Sequence, residues 1–231
     1  MSFDASTIIY ILEITVGGLL VGIGVHFVPV GGAPAAMAQA TGIGTGTVQL
    51  AAGSGLTGLL AAGLMMSVTH DIWPILASGA VGAMIMIDAT MLTGNWIYAY
   101  AVGCPMASAK VNYDPITGFS QPPYVAPGTV GQGIPTVCFV SGTIGGAMGG
   151  IGGAMIYYPL VLINQNPAES AIFAIGIFLV NAVPASWNIQ GTIEGFHDPK
   201  FKKWPNAFRS CLVASLILAV VAVLITPIGG I

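Results

Sequence analysis

One carboxylate and three carboxamides stand among apolar residues. Asp88 lies in GAMIMIDATMLTGNW, and Asn95 follows seven residues later, close to two turns of a 3.6-residue helix and so on nearly the same face. Asn181 and Asn188 repeat that spacing, with Pro184 between them able to leave a backbone carbonyl without its helical donor. Carboxylate, amide and carbonyl oxygens are the ligands of a hard cation, so an oxygen-lined path that holds Na⁺ at Asp88 is one reading of this set. The other is a helix contact in which Asp88 hydrogen-bonds an Asn or Thr and no ion takes part. An Asp at the centre of a membrane helix costs about 2.5–3.5 kcal/mol on insertion scales. Either reading therefore requires Asp88 to be protonated, paired or facing a hydrated cavity.

Other polar groups carry less chemistry. Glu13, five residues into the first apolar run, is expected near the membrane interface in a structural or vestibule role. His26, near the other end of that run, is expected as a hydrogen-bonded interfacial histidine. The following FVPVGGAPAAM reads as a re-entrant or interfacial segment. No Ser/His/Asp, Cys/His or paired-carboxylate arrangement occurs at usable spacing, so no catalytic residue is assigned. Cys104, Cys138 and Cys211 are too scattered for a disulfide framework or a metal site. The GIGTG stretch is flanked by a Pro/Gly loop and an apolar run, not by the strand, helix and distal acid of a dinucleotide site.

Composition decides what carries these groups. Of 231 residues, 55% are apolar and 6% charged, and mean hydropathy is +0.88. A soluble domain carries about 25% charge, so this chain cannot clothe a water-facing surface and belongs in a lipid bilayer. Five Lys and Arg against eight Asp and Glu exclude a nucleic-acid partner. The 33 glycines and 15 prolines show no G-X-Y period. MSFDASTIIY lacks the basic start of a signal peptide, so the first apolar run is expected to be retained as a membrane helix.

A crossing needs about 20 apolar residues, and six segments qualify: Ile8 to Val28, Gly42 to Val68, Ile72 to Val102, Ile134 to Ile163, Ala168 to Ile193 and Ala207 to Ile228. The expected fold is therefore all-α, a polytopic membrane protein in which residues 1–231 form one integral membrane domain. The third and fourth segments exceed a straight crossing, so tilt, protrusion or a break near Gly94 or Pro159 should absorb the excess. Lys110, Lys200, Lys202, Lys203 and Arg209 all fall on one side. The positive-inside rule then puts both termini outside and the long loops, Pro105 to Gly133 and Gly195 to Asn206, in the cytoplasm.

Both loops contain an Asp-Pro step, Asp114-Pro115 and Asp198-Pro199, which starts a turn. A shift of 93 positions also aligns Gly53 with Gly146, Pro74 with Pro167, Asp88 with Asn181 and Asn95 with Asn188. That suggests a weak parallel internal repeat, with identity close to chance. In SGTIGGAMGGIGGAM, Gly142, Gly146, Gly149, Gly150 and Gly153 recur at three- and four-residue steps and form a small-residue groove for close helix packing. The groove suits contacts inside one bundle or contacts with other subunits.

The segments HFVPVGGAPAAMAQATGIGTGT, DPITGF, PTVCFVSG and GTIEGFHDPKFKK together resemble the D-subunit family of the membrane-bound tetrahydromethanopterin S-methyltransferase of methanogenic archaea, from about His26 to Arg209. The resemblance implies a complex that transfers a methyl group from methyl-tetrahydromethanopterin to coenzyme M through a corrinoid on another subunit. It also implies coupling to Na⁺ export across the cell membrane, and a membrane core of the C, D and E subunits. No cofactor is expected on this chain itself. In this setting Asp114, Glu194, His197, Asp198 and Lys200 are expected to meet the cytoplasmic corrinoid-bearing subunit, whose movement would gate the polar path. A stand-alone transporter of a small solute or ion and a purely structural subunit are the alternatives.

Overall fold

The computed structural model describes residues 5–28, 45–96, 100, 112–120, 135–189, 196 and 199–225. Among these described residues there are six α-helices: α1 Ala5–Phe27, α2 Thr45–Met66, α3 Ile72–Trp96, α4 Pro135–Asn164, α5 Pro167–Ile189 and α6 Trp204–Ile225, the last preceded by a 3-10 turn, Pro199–Lys203. Among the described residues there is no strand, and Tyr113 and Ser120 form an isolated antiparallel bridge. Ala5–Phe27, Ile72–Thr93, Phe139–Asn164, Pro167–Ser186 and Phe201–Ile225 are each long and apolar enough to cross a membrane, and α2 carries a shorter apolar stretch, Gly55–Met66. The chain is a multi-pass membrane protein.

Helix ends follow local chemistry. Asp71 caps α3, its Oδ1 accepting from the Trp73 N–H at 3.2 Å. Asn166 caps α5, its Oδ1 accepting from the Glu169 N–H at 3.3 Å, so that helix starts at Pro167, where a missing N–H costs nothing. Gln165 takes φ 55°, the left-handed conformation that ends α4 and turns the chain sharply into α5. Of the alternatives of tilt, protrusion or a break near Gly94 or Pro159, a break at Pro159 does not occur, since α4 runs through it to Asn164. α3 runs through Gly94 to Trp96, and residues 97–99 lie outside the described residues. Packing against neighbouring helices tolerates a proline that would break an isolated helix.

α4 is the centre of the bundle and touches α1, α2, α3 and α5, while α5 touches α1, α2, α4 and α6. α3 packs on α2 and α4 at one flank, and α6 packs on α1 and α5 at the other. Two faces of α4 make this possible. Gly145 and Gly152 meet Gly24 and Gly17 of α1 backbone to backbone, whereas Gly146 and Gly150 meet Ala83 and Gly79 of α3. With no hydrophobic force between helices in lipid, such close approach is a principal source of association. The glycines of α4 therefore pack this chain's own helices together. Gly149 has no atom within 4 Å of where a Cβ would stand, and Gly153 makes only ordinary contact with Phe178.

α1 runs antiparallel to α6, with Gly18 against Ser215 and Gly22 against Cys211. The start of α1 and the end of α6 thus share one end of the bundle with the short α2–α3 and α4–α5 turns. Phe27, Trp96, Pro135, Ile189 and Trp204, the helix ends that flank the long connections, lie at the other end. Leu60, Leu64, Ile85 and Ile172 are 65–72% exposed around the perimeter, while His26, Asn181 and Ser215 are sealed inside. Apolar outside and polar inside is the pattern lipid demands.

Candidate functional site

Asp88 projects from α3 to α4, where the Thr143 hydroxyl lies 2.6 Å from its Oδ1 and 2.8 Å from the Phe139 carbonyl oxygen. α3 and α4 contain no Lys or Arg. Asp88 lies on α3 within the apolar stretch Ile72–Thr93, and its partner Thr143 lies on α4 within Phe139–Asn164, as far as the described residues extend.

Asn181 belongs to a different cluster. Its Nδ2 donates to the Ile177 carbonyl at 2.8 Å, its Oδ1 accepts from the Ser215 hydroxyl of α6 at 2.7 Å, and its carbonyl faces the Cys211 thiol at 3.4 Å. Gly18 of α1 leaves the space these groups fill. Every strong group of the Asn181 side chain is engaged inside the chain, which describes a joint between α1, α5 and α6. Asn181→Ala would strand the Ser215 hydroxyl and open a void, and should cost about 1–3 kcal/mol, read as a lower unfolding temperature of the detergent-solubilised protein.

His26, in the last turn of α1, is hydrogen-bonded as expected. It is also 0% exposed, because the end of α1 is covered by α4, α5 and the segment before α6. Its Nδ1 lies 2.8 Å from the Gly22 carbonyl, and its Nε2 lies 3.2 Å from Asn188 Nδ2. A carbonyl only accepts and an amide nitrogen only donates, so the ring is neutral with its proton on Nδ1. Asn188 also donates to the Lys203 carbonyl at 2.8 Å, which ties the 3-10 turn to the bundle. Ser141 of α4 reinforces that end, donating to the Phe27 carbonyl and accepting from the Phe196 N–H at 2.9 Å. Phe27 and Phe201 complete it, edge to face at 4.8 Å. The segment that carries GFHDPKFKK is thus clamped to α1, α4 and α5 at three points.

The structure does not bring Asp88, Asn181 and Asn188 together. Asp88 pairs with α4, Asn181 with α6, and Asn188 with His26 and the loop. Asn95 lies on α3 with its side chain outside what is described. Glu194, His197 and Asp198 lie outside the described residues, and Lys200 falls in the 3-10 turn with its side chain also outside them. Glu13 is half-buried at the short-turn end, with an Oε1 that is sealed and has no hydrogen-bond partner among the described residues.

Asp114 is buried and organises a turn. Its Oδ1 accepts from the Ile116 and Thr117 N–H groups at 2.8 and 3.0 Å, and Gly118 takes φ 73° to close the loop. Burial disfavours its charge, but the Thr117 N–H, the Thr136 hydroxyl at the start of α4, the Ile116 N–H and the Thr117 hydroxyl together hold the carboxyl below the usual aspartate range. Because the folded pKa is depressed, its contribution is present above the unfolded aspartate value and is lost as pH falls through the folded one. Protection of the Ile116 and Thr117 amides from exchange, relative to their intrinsic rates, should therefore fall on acidification below about pH 4, and Asp114→Asn should remove that pH dependence.

Sequence does not single out Thr143, Ser215 and Ser141. Each is a lone hydroxyl in an apolar run, and only the bundle shows which of them shares a level with a second polar group.

The family described as the D subunit of tetrahydromethanopterin S-methyltransferase matches residues 7–215. The chain belongs to this family. A relative in Methanosarcina mazei, named as the D subunit of the same methyltransferase, is 61% identical, with 97% of each chain covered. Relatives of the same name in Methanothermobacter marburgensis and Methanocaldococcus jannaschii are 56% and 53% identical, over 94% and 95% of this chain and 96% and 97% of theirs. The family's match reaches all six helices and takes in both polar clusters.

Proposed function

We propose that this chain is a membrane-core subunit of the multi-subunit methyltransferase of methanogenic archaea, and that Asp88 stands on the route of the Na⁺ ions the complex exports. The complex moves a methyl group from methyl-tetrahydromethanopterin to coenzyme M through a corrinoid held by another subunit. This chain contributes no catalytic residue and binds no cofactor. It packs with the C and E subunits in the cell membrane, both termini outside, and offers its cytoplasmic loops to the corrinoid-bearing subunit.

The observation that carries the ion reading is the Asp88 site. A carboxylate, a hydroxyl and the Phe139 carbonyl present oxygens to one another inside an apolar stretch, with no cation from α3 or α4 to neutralise them. A hard monovalent cation suits that donor set. Asn181 has both polar atoms of its side chain hydrogen-bonded within the chain and is read as structural. The clamped segment near Lys203 supplies the mechanical link: displacement by the corrinoid-bearing subunit would pull on Asn188, Ser141 and Phe27, and Ser141 is two residues from Thr143 on α4.

Purification in mild detergent tests membership. A corrinoid-containing multi-subunit assembly whose methyl transfer requires Na⁺ is expected. A homogeneous homo-oligomer without corrinoid, active alone as a transporter, would contradict it.

A further inference from the structure

Asp88 uses one carboxylate oxygen on Thr143, and its Oδ2 has no hydrogen-bond partner among the described residues and is not sealed inside the chain. On the same side of α3, Ile85 and Leu92 one turn away and Val81 two turns away are 65, 41 and 52% exposed. An ionisable group therefore reaches the perimeter of the subunit in the middle of an apolar face. Lipid cannot cover that face without leaving the carboxylate in hydrocarbon, and Asp is too short to reach the headgroups as Lys does. Nor do three exposed aliphatic side chains line a water-filled groove.

We infer that the Val81–Ile85–Asp88–Leu92 face of α3 is where a different membrane-embedded chain packs, and that this partner presents a hydrogen-bond donor or a shared cation at the level of Asp88. A second copy of this chain is disfavoured. A two-fold contact through this face would set Asp88 against Asp88, two carboxylates in a low-dielectric interface with no base on α3 to relieve them. The inference rests on the chain working within a multi-subunit membrane complex. It does not depend on Na⁺ passing this point, since a donor from the partner would serve as well.

A photo-activated cross-linking residue placed at Ile85 in the intact, bilayer-reconstituted complex tests it, with Leu92 as a second position should the first impair assembly. The expected product is an adduct with another membrane subunit, identified by mass spectrometry. An adduct only with lipid, with a second copy of this chain, or with this chain's own loops would overturn the inference. Asp88→Leu keeps apolar volume but removes the carboxylate, and should lower the adduct about tenfold, the scale of one charge-assisted hydrogen bond. An undiminished adduct would overturn the polar complement. Because cross-linking reads contact and not transport, it fails or succeeds independently of the Na⁺ assignment.

Discussion

Gly145→Leu should prevent stable assembly of the complex, while Gly149→Ala, one turn along the same helix, should leave it intact or slightly more stable. The difference is geometric. A Cβ at Gly145 would stand 2.6 Å from the Gly24 carbonyl oxygen and 2.9 Å from Val28 Cγ2, and backbone cannot yield as a flexible side chain can. α1 would have to move away from α4, losing the Gly17–Gly152 contact as well. Even Gly145→Ala should cost about 1–3 kcal/mol by overpacking. At Gly149 nothing stands within 4 Å, and replacing a helical glycine by alanine gains about 0.5–1 kcal/mol in helix propensity. Gly176 of α5 is equally open and serves as a second control. Unfolding temperatures of the solubilised complexes should rank Gly149→Ala and Gly176→Ala at or above wild type, Gly145→Ala below, with Gly145→Leu not recovered.

The second large effect belongs to Asp88→Asn. The amide oxygen can still accept from Thr143, so the α3–α4 contact, the fold and the subunit content should survive. What disappears is the negative charge that attracts a cation into an apolar stretch. Na⁺-dependent methyl transfer by the purified complex should then fall about tenfold or more, corresponding to at least about 1.4 kcal/mol of lost ion binding. Thr143→Val should show a smaller loss in the same direction, because it removes one neutral oxygen. If Asp88 only packs, the conservative Asn variant should instead behave as wild type, and the larger changes should fail at assembly.

The helices were legible because 20-residue apolar runs have few alternatives in a bilayer. Their ends were less so: Asn166 with Pro167 marks the start of α5, and Asp71 that of α3, but hydropathy blurs such caps. The glycine run of α4 was legible as a packing surface, yet period alone could not divide it between α1 and α3. Gly145 and Gly152, which make the tightest α1 contact, were outside the expected set. Asp88 stood out because a carboxylate in an apolar run is costly. Its partner Thr143 was foreseeable in kind, since an Asn or Thr contact was one reading, but not in position. His26 illustrates the limit: a hydrogen bond was expected of it, but its partner Asn188 is 162 positions away, and no local pattern shows that the ring is sealed beneath a returning segment. Asn181 and Asp88 looked equivalent under the 93-residue shift, but the helices around them differ. Asn181 has both side-chain polar atoms engaged inside the chain, whereas Asp88 has only one of its two oxygens engaged.

The most direct test is Na⁺ uptake into vesicles that contain the fully assembled Asp88→Asn complex, scored per methyl group transferred. Wild-type complex should accumulate Na⁺ in step with methyl transfer. The Asp88→Asn complex, with the same subunits and corrinoid content, should show uptake near background at saturating methyl donor and coenzyme M. Uptake equal to wild type per methyl transferred would contradict the placement of Asp88 on the ion's route.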